Sequence, residues 1–309
     1  MPKTVKIQQI NTMSLKNLMV YGIVILAMFF WSMTYIWYKI VFEELNPITV
    51  MTFRLGLSTV LLLLFSLLIG KLKIPYKSDY LWFILLSFFQ PFLYFLAEGY
   101  GVSLVSSTVS AVIISTIPVF TPIAAYLFLK QTISKLNIAG ILVSFAGVLM
   151  VVLGQQLHFD GSMKGIIFLF CAVFSALGYA VIIGKLTHKY SSFTIISWQN
   201  ALGFIWFLPL FFIVDLQHFK QAEFSQAIIV NLIYLAVLGS SVAYIFFTYG
   251  IKNLGITKAS LFANLIPIFT AALAYYLLGE QLSIFKFTGI IVVISGLFLG
   301  QIKFKAKIN

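Results

Sequence analysis

Arg54 is the only arginine of the chain, and Glu98 is the only acid well inside one of its apolar runs. A charge at membrane depth is costly unless it finds a partner or a watery cavity. Arg54 therefore has two readings. It pairs with Glu43 or Glu44 or snorkels to the outer surface, or it contacts a substrate directly. Glu98, between Ala97 and Gly99, likewise has two. It takes up a proton or pairs with an amine, or it sits at the outer interface with one end wet. Lys39, at the end of the first apolar run, is either an interfacial anchor or a contact for a carboxylate.

Uncharged candidates surround these three. Gln90-Pro91 falls in the middle of the third run, among Phe88, Phe89, Phe92, Tyr94 and Phe95. Proline removes a backbone donor, which leaves a carbonyl able to face a cavity. Ser115 lies close to Pro118, and Ser260 and Asn264 share a face at four-residue spacing. Each could line a pocket or make an ordinary interhelical hydrogen bond. Trp198-Gln199-Asn200 opens the seventh run and Tyr179 lies in the sixth. They offer polar lining, or for Trp198 an interfacial anchor. Tyr244 is a further lining residue on weaker grounds.

Other chemistry is missing. His158, His188 and His218 fall in loops without ligand spacing, and Cys171 is the single cysteine, so no metal site is expected. No phosphate-binding loop, nucleophile elbow or metalloprotease helix motif occurs, and no cofactor is expected.

The elements that must position these residues are long apolar helices. Hydrophobic residues make up 61% of the chain and charged residues 9%, against about 25% charged in a soluble domain. Runs of about 20 apolar residues recur, which is the length a helix needs to cross a bilayer. Their continuity argues against an outer-membrane barrel. The expected fold is an all-α integral membrane protein with ten transmembrane helices. They run approximately over 18–40, 47–69, 80–101, 107–129, 136–154, 164–184, 194–214, 229–250, 258–278 and 286–303. The net charge of +12 sits in loops and tails, which reads as topology and membrane lipid, not nucleic acid.

A repeat organises the chain. Tyr100-Gly101, Ile117-Pro118, Phe120-Thr121, Tyr126, Leu129, Ser134, Gly140 and Gly147 recur as Tyr249-Gly250, Ile266-Pro267, Phe269-Thr270, Tyr275, Leu278, Ser283, Gly289 and Gly296, at a constant offset of 149 residues. Two five-helix repeats are expected, 17–155 and 156–303, between tails 1–16 and 304–309. Five is odd, so the second repeat is inverted relative to the first. With both termini cytoplasmic, fifteen lysines fall inside and four outside, which agrees with the positive-inside rule. Inverted repeats place substrate near the midplane between the halves. Gly140, Gly147, Gly289, Gly296 and Gly300 mark the fifth and tenth helices as packing elements, with a homodimer through them as one use.

The chain resembles the EamA-type branch of the drug/metabolite transporter superfamily over essentially all ten helices. The residues that carry the likeness are Trp31-Ser32, Lys39, Pro47 and Arg54, then Leu278-Gly279-Glu280-Gln281-Leu282-Ser283 followed by Gly289 and Gly296. Ser32 stands where the family usually has Gly. In the first half Lys130-Gln131 replaces the usual Gly-Glu, so no role for an acid carries over there. The resemblance implies an inner-membrane carrier, often an exporter of amino acids or other small metabolites, with a basket of helices around a central cavity. The fifth and tenth helices would be peripheral. It adds Trp31 and Tyr35 to the lining candidates.

The function expected is a secondary carrier of small metabolites that works by alternating access, not an enzyme. Multidrug or nucleotide-sugar movement is the neighbouring reading within transport. A lipid-modifying membrane enzyme is the alternative from another class, and it would need grouped acids, histidines or a nucleophile dyad, which are not visible.

Overall fold

The computed structural model describes residues 15–120, 134–153 and 162–301, which are helical with no strand among them. Expectations that fall on the ends of both tails, on Pro122, Tyr126 and Lys130-Gln131, and on the boundary near residue 155 lie outside the described residues. We number the helical stretches α1 (Leu15–Val41), α2 (Pro47–Leu68), α3 (Lys77–Leu104), α4 (Ser107–Phe120), α5 (Lys135–Leu153), α6 (Met163–Leu186), α7 (Ser192–Gln221), α8 (Gln226–Leu254), α9 (Lys258–Leu278) and α10 (Ile284–Gln301). Eight are long and apolar enough to cross a membrane, while α4 and α10 are shorter apolar helices.

Interior breaks follow from the sequence. In α3 the chain passes through a π-helical segment, Phe88–Leu93, where Gln90 leaves the helical region at φ −148 and ψ 118. Pro91 cannot donate to the preceding turn. The Phe89 carbonyl is satisfied from outside, by Ser175 Oγ of α6 at 2.6 Å. The Phe89 carbonyl also accepts from Tyr94 N within the segment. A second π-helical segment, Leu235–Val242, interrupts α8. There Ser241 Oγ donates to the Ala236 carbonyl at 2.8 Å. A Cβ on Gly239 would lie 2.7 Å from the Thr34 methyl, so only glycine allows this approach of α8 to α1. The third π segment, Phe211–Asp215, follows Pro209 in α7. It carries the helix on to Gln221, beyond the expected end at 214.

Two acids act on helix starts. Asp215 accepts from Thr49 N at 2.9 Å, from the Thr49 hydroxyl, and from Asn46 Nδ2 at 2.6 Å. It thereby satisfies the free donors at the start of α2. Glu280 accepts from Ser107 N at 2.7 Å and from the Thr108 hydroxyl at 2.8 Å at the start of α4. The first helical turn has unpaired N–H groups and a positive dipole end, so a carboxylate is favoured there.

α5 and α10 pack on each other along small residues. A Cβ on Gly147 would lie 2.8 Å from the Gly289 carbonyl, and one on Gly289 would lie 2.7 Å from Val151. Ser144 Oγ donates to the Val293 carbonyl at 3.2 Å. The glycine faces expected to serve a homodimer thus meet within one chain. A dimer on this pair would use outward residues such as Leu142, Phe145 and Phe287, which are exposed.

Candidate functional site

Seven of the remaining helices enclose a cavity of about 110 Å³. Its wall comes from α1 (Trp31, Thr34, Tyr35), α2 (Arg54), α3 (Gln90, Tyr94, Phe95, Glu98) and α4 (Ile114, Ile117, Pro118) on one side. α6 (Ala176, Tyr179, Ala180, Ile183), α8 (Tyr244, Phe247, Ile251) and α9 (Ser260, Ala263, Ile266) complete it.

One end of the wall is a hydrogen-bonded cluster. Arg54 is 1% exposed. Its Nε donates to Ser240 Oγ at 2.6 Å and its Nη1 donates to the Tyr38 hydroxyl. The guanidinium lies over the Phe95 ring, 4.2 Å from the centroid, an arrangement that stabilises a desolvated cation. Glu98 is 5% exposed and accepts from three phenols: Tyr94 at 2.8 Å, Tyr38 at 3.2 Å and Tyr35 at 3.4 Å. Tyr38 therefore bridges the only arginine to the buried acid. Tyr35 and Tyr38 share a face of α1, and Tyr94 lies one turn before Glu98 in α3.

The rest of the cavity is aromatic. The Trp31 ring meets the edges of Tyr244 and Phe247, each at 5.0 Å between centroids. Gln90 Nε2 donates to the Tyr244 hydroxyl at 2.5 Å. Behind the Tyr179 ring lie Gln199 and Thr248. The Tyr179 hydroxyl faces the polar groups of Gln199 and Thr248, but at a geometry too loose for a good hydrogen bond, and Trp31 Nε1 has no hydrogen-bond partner among the described residues.

Of the residues expected from sequence, the structure brings Trp31, Tyr35, Arg54, Gln90 and Tyr94 into this wall, with Glu98, Tyr179 and Ser260. Snorkelling of Arg54 and a pair with Glu43 or Glu44 are corrected by its burial and its bonds to Tyr38 and Ser240. A wet Glu98 is corrected in the same way. Four candidates lie outside the wall. Lys39 Nζ donates to the carbonyls of Val102 and Val105 at 2.7 and 2.5 Å, closing the last turn of α3. The Ser115 hydroxyl turns back to the Val112 carbonyl of its own helix at 2.7 Å. Trp198 Nε1 holds the Lys73 carbonyl in the loop before α3 at 3.0 Å. Asn264 is buried beside the cavity, with its amide unpaired among the described residues. Tyr38 and Ser240 were not expected from the sequence. The three-residue spacing of Tyr35 and Tyr38 was the available signal for the first, and nothing in the sequence singled out the second.

Long apolar helices that enclose a buried arginine and a buried carboxylate in an aromatic cavity define a multi-pass membrane protein. A model of the EamA-like transporter family matches residues 18–153 and again 163–300. The chain belongs to that family. Among its relatives, an uncharacterized transporter of Archaeoglobus fulgidus is 28% identical over 90% of this chain and 96% of its own. The uncharacterized transporter YdfC of Bacillus subtilis is 26% identical over 84% of each. One crystal structure superposes with a TM-score of 0.69 over 91% of this chain and 98% of its own. At 11% identity that likeness concerns the fold alone.

Proposed function

We propose that the chain is a secondary carrier that exports small amphipathic metabolites, amino acids first among them, by alternating access. The observation that carries this reading is the cavity: a fixed cation and a carboxylate at one end, aromatic rings along the rest, and walls drawn from seven helices. Apolar and aromatic lining with a few placed polar groups is what a small-molecule site needs. We read Trp31, Tyr35, Gln90, Tyr94, Tyr179 and Ser260 as substrate contacts and Glu98 as the coupling residue. The two family matches and the lysine distribution support two inverted five-helix halves, residues 17–155 and 156–303, in a cell inner membrane with both termini cytoplasmic. Export is the direction that the family resemblance implies.

Flux into proteoliposomes tests this, with a mixed pool of labelled amino acids and with or without an imposed pH gradient. We expect accumulation above equilibrium that needs the gradient and disappears in Glu98→Gln. Equilibration indifferent to the gradient would make the protein a facilitator. No flux of any pool member would remove amino acids as substrates.

A further inference from the structure

We infer that the cavity receives a carboxylate at Arg54 and stays neutral when it does: the substrate's own ammonium, or one proton taken up by Glu98, balances the added charge. This rests on the carrier reading above. Three features of the cluster carry it.

Arg54 is oriented but incompletely used. Ser240 and Tyr38 hold Nε and Nη1, and the Phe95 ring fixes the plane of the guanidinium. No acceptor among the described residues holds Nη2, and Arg54 forms part of the cavity wall. A planar guanidinium with free N–H groups is the side chain best suited to a carboxylate.

The cavity's own two ions balance each other. Arg54 supplies one positive charge and Glu98 one negative charge, with Tyr38 between them. The charged or titratable groups that face Glu98 are Tyr35 and Tyr38 of α1, Arg54 of α2, Tyr94 of α3 and Tyr244 of α8. None adds a second cation. A carboxylate arriving on Arg54 makes the cavity net negative, and an uncompensated buried charge is strongly disfavoured. A zwitterion brings its compensation with it. A plain anion does not, so Glu98 takes one proton from water, and one O–H bond forms at its carboxylate.

The shell around Glu98 suits both states. A hydroxyl both donates and accepts, whereas lysine and arginine only donate. The three phenols that donate to ionised Glu98 can rotate so that one of them accepts from its protonated form.

The test uses the purified full chain and three probes that share a phenyl ring: 3-phenylpropionate, phenylalanine and phenethylamine. Each is titrated calorimetrically in two buffers of different ionisation enthalpy. We expect 3-phenylpropionate to bind with uptake of about one proton, its affinity falling about tenfold per unit rise in pH. Phenylalanine should bind with no uptake. Phenethylamine, which leaves Arg54 without an anion, should bind more weakly than phenylalanine by about tenfold or more. Glu98→Gln should abolish the uptake and the pH dependence for 3-phenylpropionate. Binding of that anion without proton uptake overturns the inference and leaves the carrier reading intact, as does phenethylamine binding as tightly as phenylalanine. Failure of all three probes to bind removes the amphipathic-substrate reading itself. If Glu98→Gln does not fold, the buffer pair on the unaltered chain decides the question.

Discussion

Two pairs of opposite charge are built differently in this molecule. Lys189 meets Asp79 directly, Nζ to Oδ1 at 2.9 Å, with the lysine side chain 48% exposed. Tyr190 adds its hydroxyl to the same carboxylate at 2.8 Å, so the pair ties the loop after α6 to the start of α3. Arg54 and Glu98 make no direct bond. The Tyr38 hydroxyl stands between them, accepting from one and donating to the other, and both ions are buried. A pair that served only stability would close that gap, because direct contact compensates buried ions best. Holding them apart leaves Arg54 a donor for a ligand and Glu98 a shell that tolerates a proton. The contact pair is thus a structural tie, and the separated pair is the one with unused chemistry.

Removing one partner of the separated pair should break the comparison hardest. Arg54→Met leaves Glu98 buried without its counter-charge, which should cost up to about 3–5 kcal/mol in alkaline buffer and less at the lower pH where Glu98 takes up a proton. The double variant Arg54→Met with Glu98→Leu should recover a substantial part of that loss, because no lone charge remains. Thermal midpoints of the detergent-solubilised single and double variants check it. Independent, additive losses would show that the two ions do not sense each other across Tyr38.

Tyr38→Phe comes next, since it deletes the bridge while keeping both charges. Each ion loses one charge-assisted hydrogen bond, which should cost about 1.5–3 kcal/mol. Transport should suffer more than stability does if the bridge positions Arg54 for a ligand. A variant that transports normally would reduce Tyr38 to packing. Glu280→Gln probes charge against helix dipole instead of charge against charge. The amide keeps one accepting oxygen, enough for Ser107 N or for Thr108 but not for both, and loses the charge at the N-terminus of α4. About 1 kcal/mol is expected, read from the same midpoints.

The frame and the two central ions were legible in the sequence for a simple reason. An apolar run of bilayer length is hard to accommodate anywhere but in a membrane, and a lone charge inside one is too costly to keep without a use. What joins the ions was hidden. Tyr38 is one of 15 tyrosines, and its role depends on α2 and α3 converging on one face of α1, which spacing alone does not fix. Trp198 misled because an indole N–H satisfies a loop carbonyl as readily as it lines a cavity. Nothing in the sequence tied Asp215 and Glu280 to helix starts, because each finds its start far away along the chain, Thr49 for the first and Ser107 for the second.

Asp79→Asn should change least, and it sharpens the comparison from the other side. The asparagine keeps a hydrogen-bond acceptor for Tyr190, and a pair whose lysine is half-exposed contributes little. At about pH 7 the thermal midpoint should move by no more than about 2 °C, and less still as salt screens the pair. The sign of its pH dependence follows from Lys189, whose ammonium is held above the ordinary lysine value of 10.5 by its hydrogen bond to Asp79. A raised value in the folded state means that the contribution is full below 10.5 and disappears as pH rises through the folded value. The difference between the unaltered chain and Asp79→Asn should therefore be flat through neutral pH and shrink in strongly alkaline buffer. A loss near neutrality as large as that of Arg54→Met would mean that the direct contact pair does the same structural work as the separated pair, and the distinction between tie and site would fail.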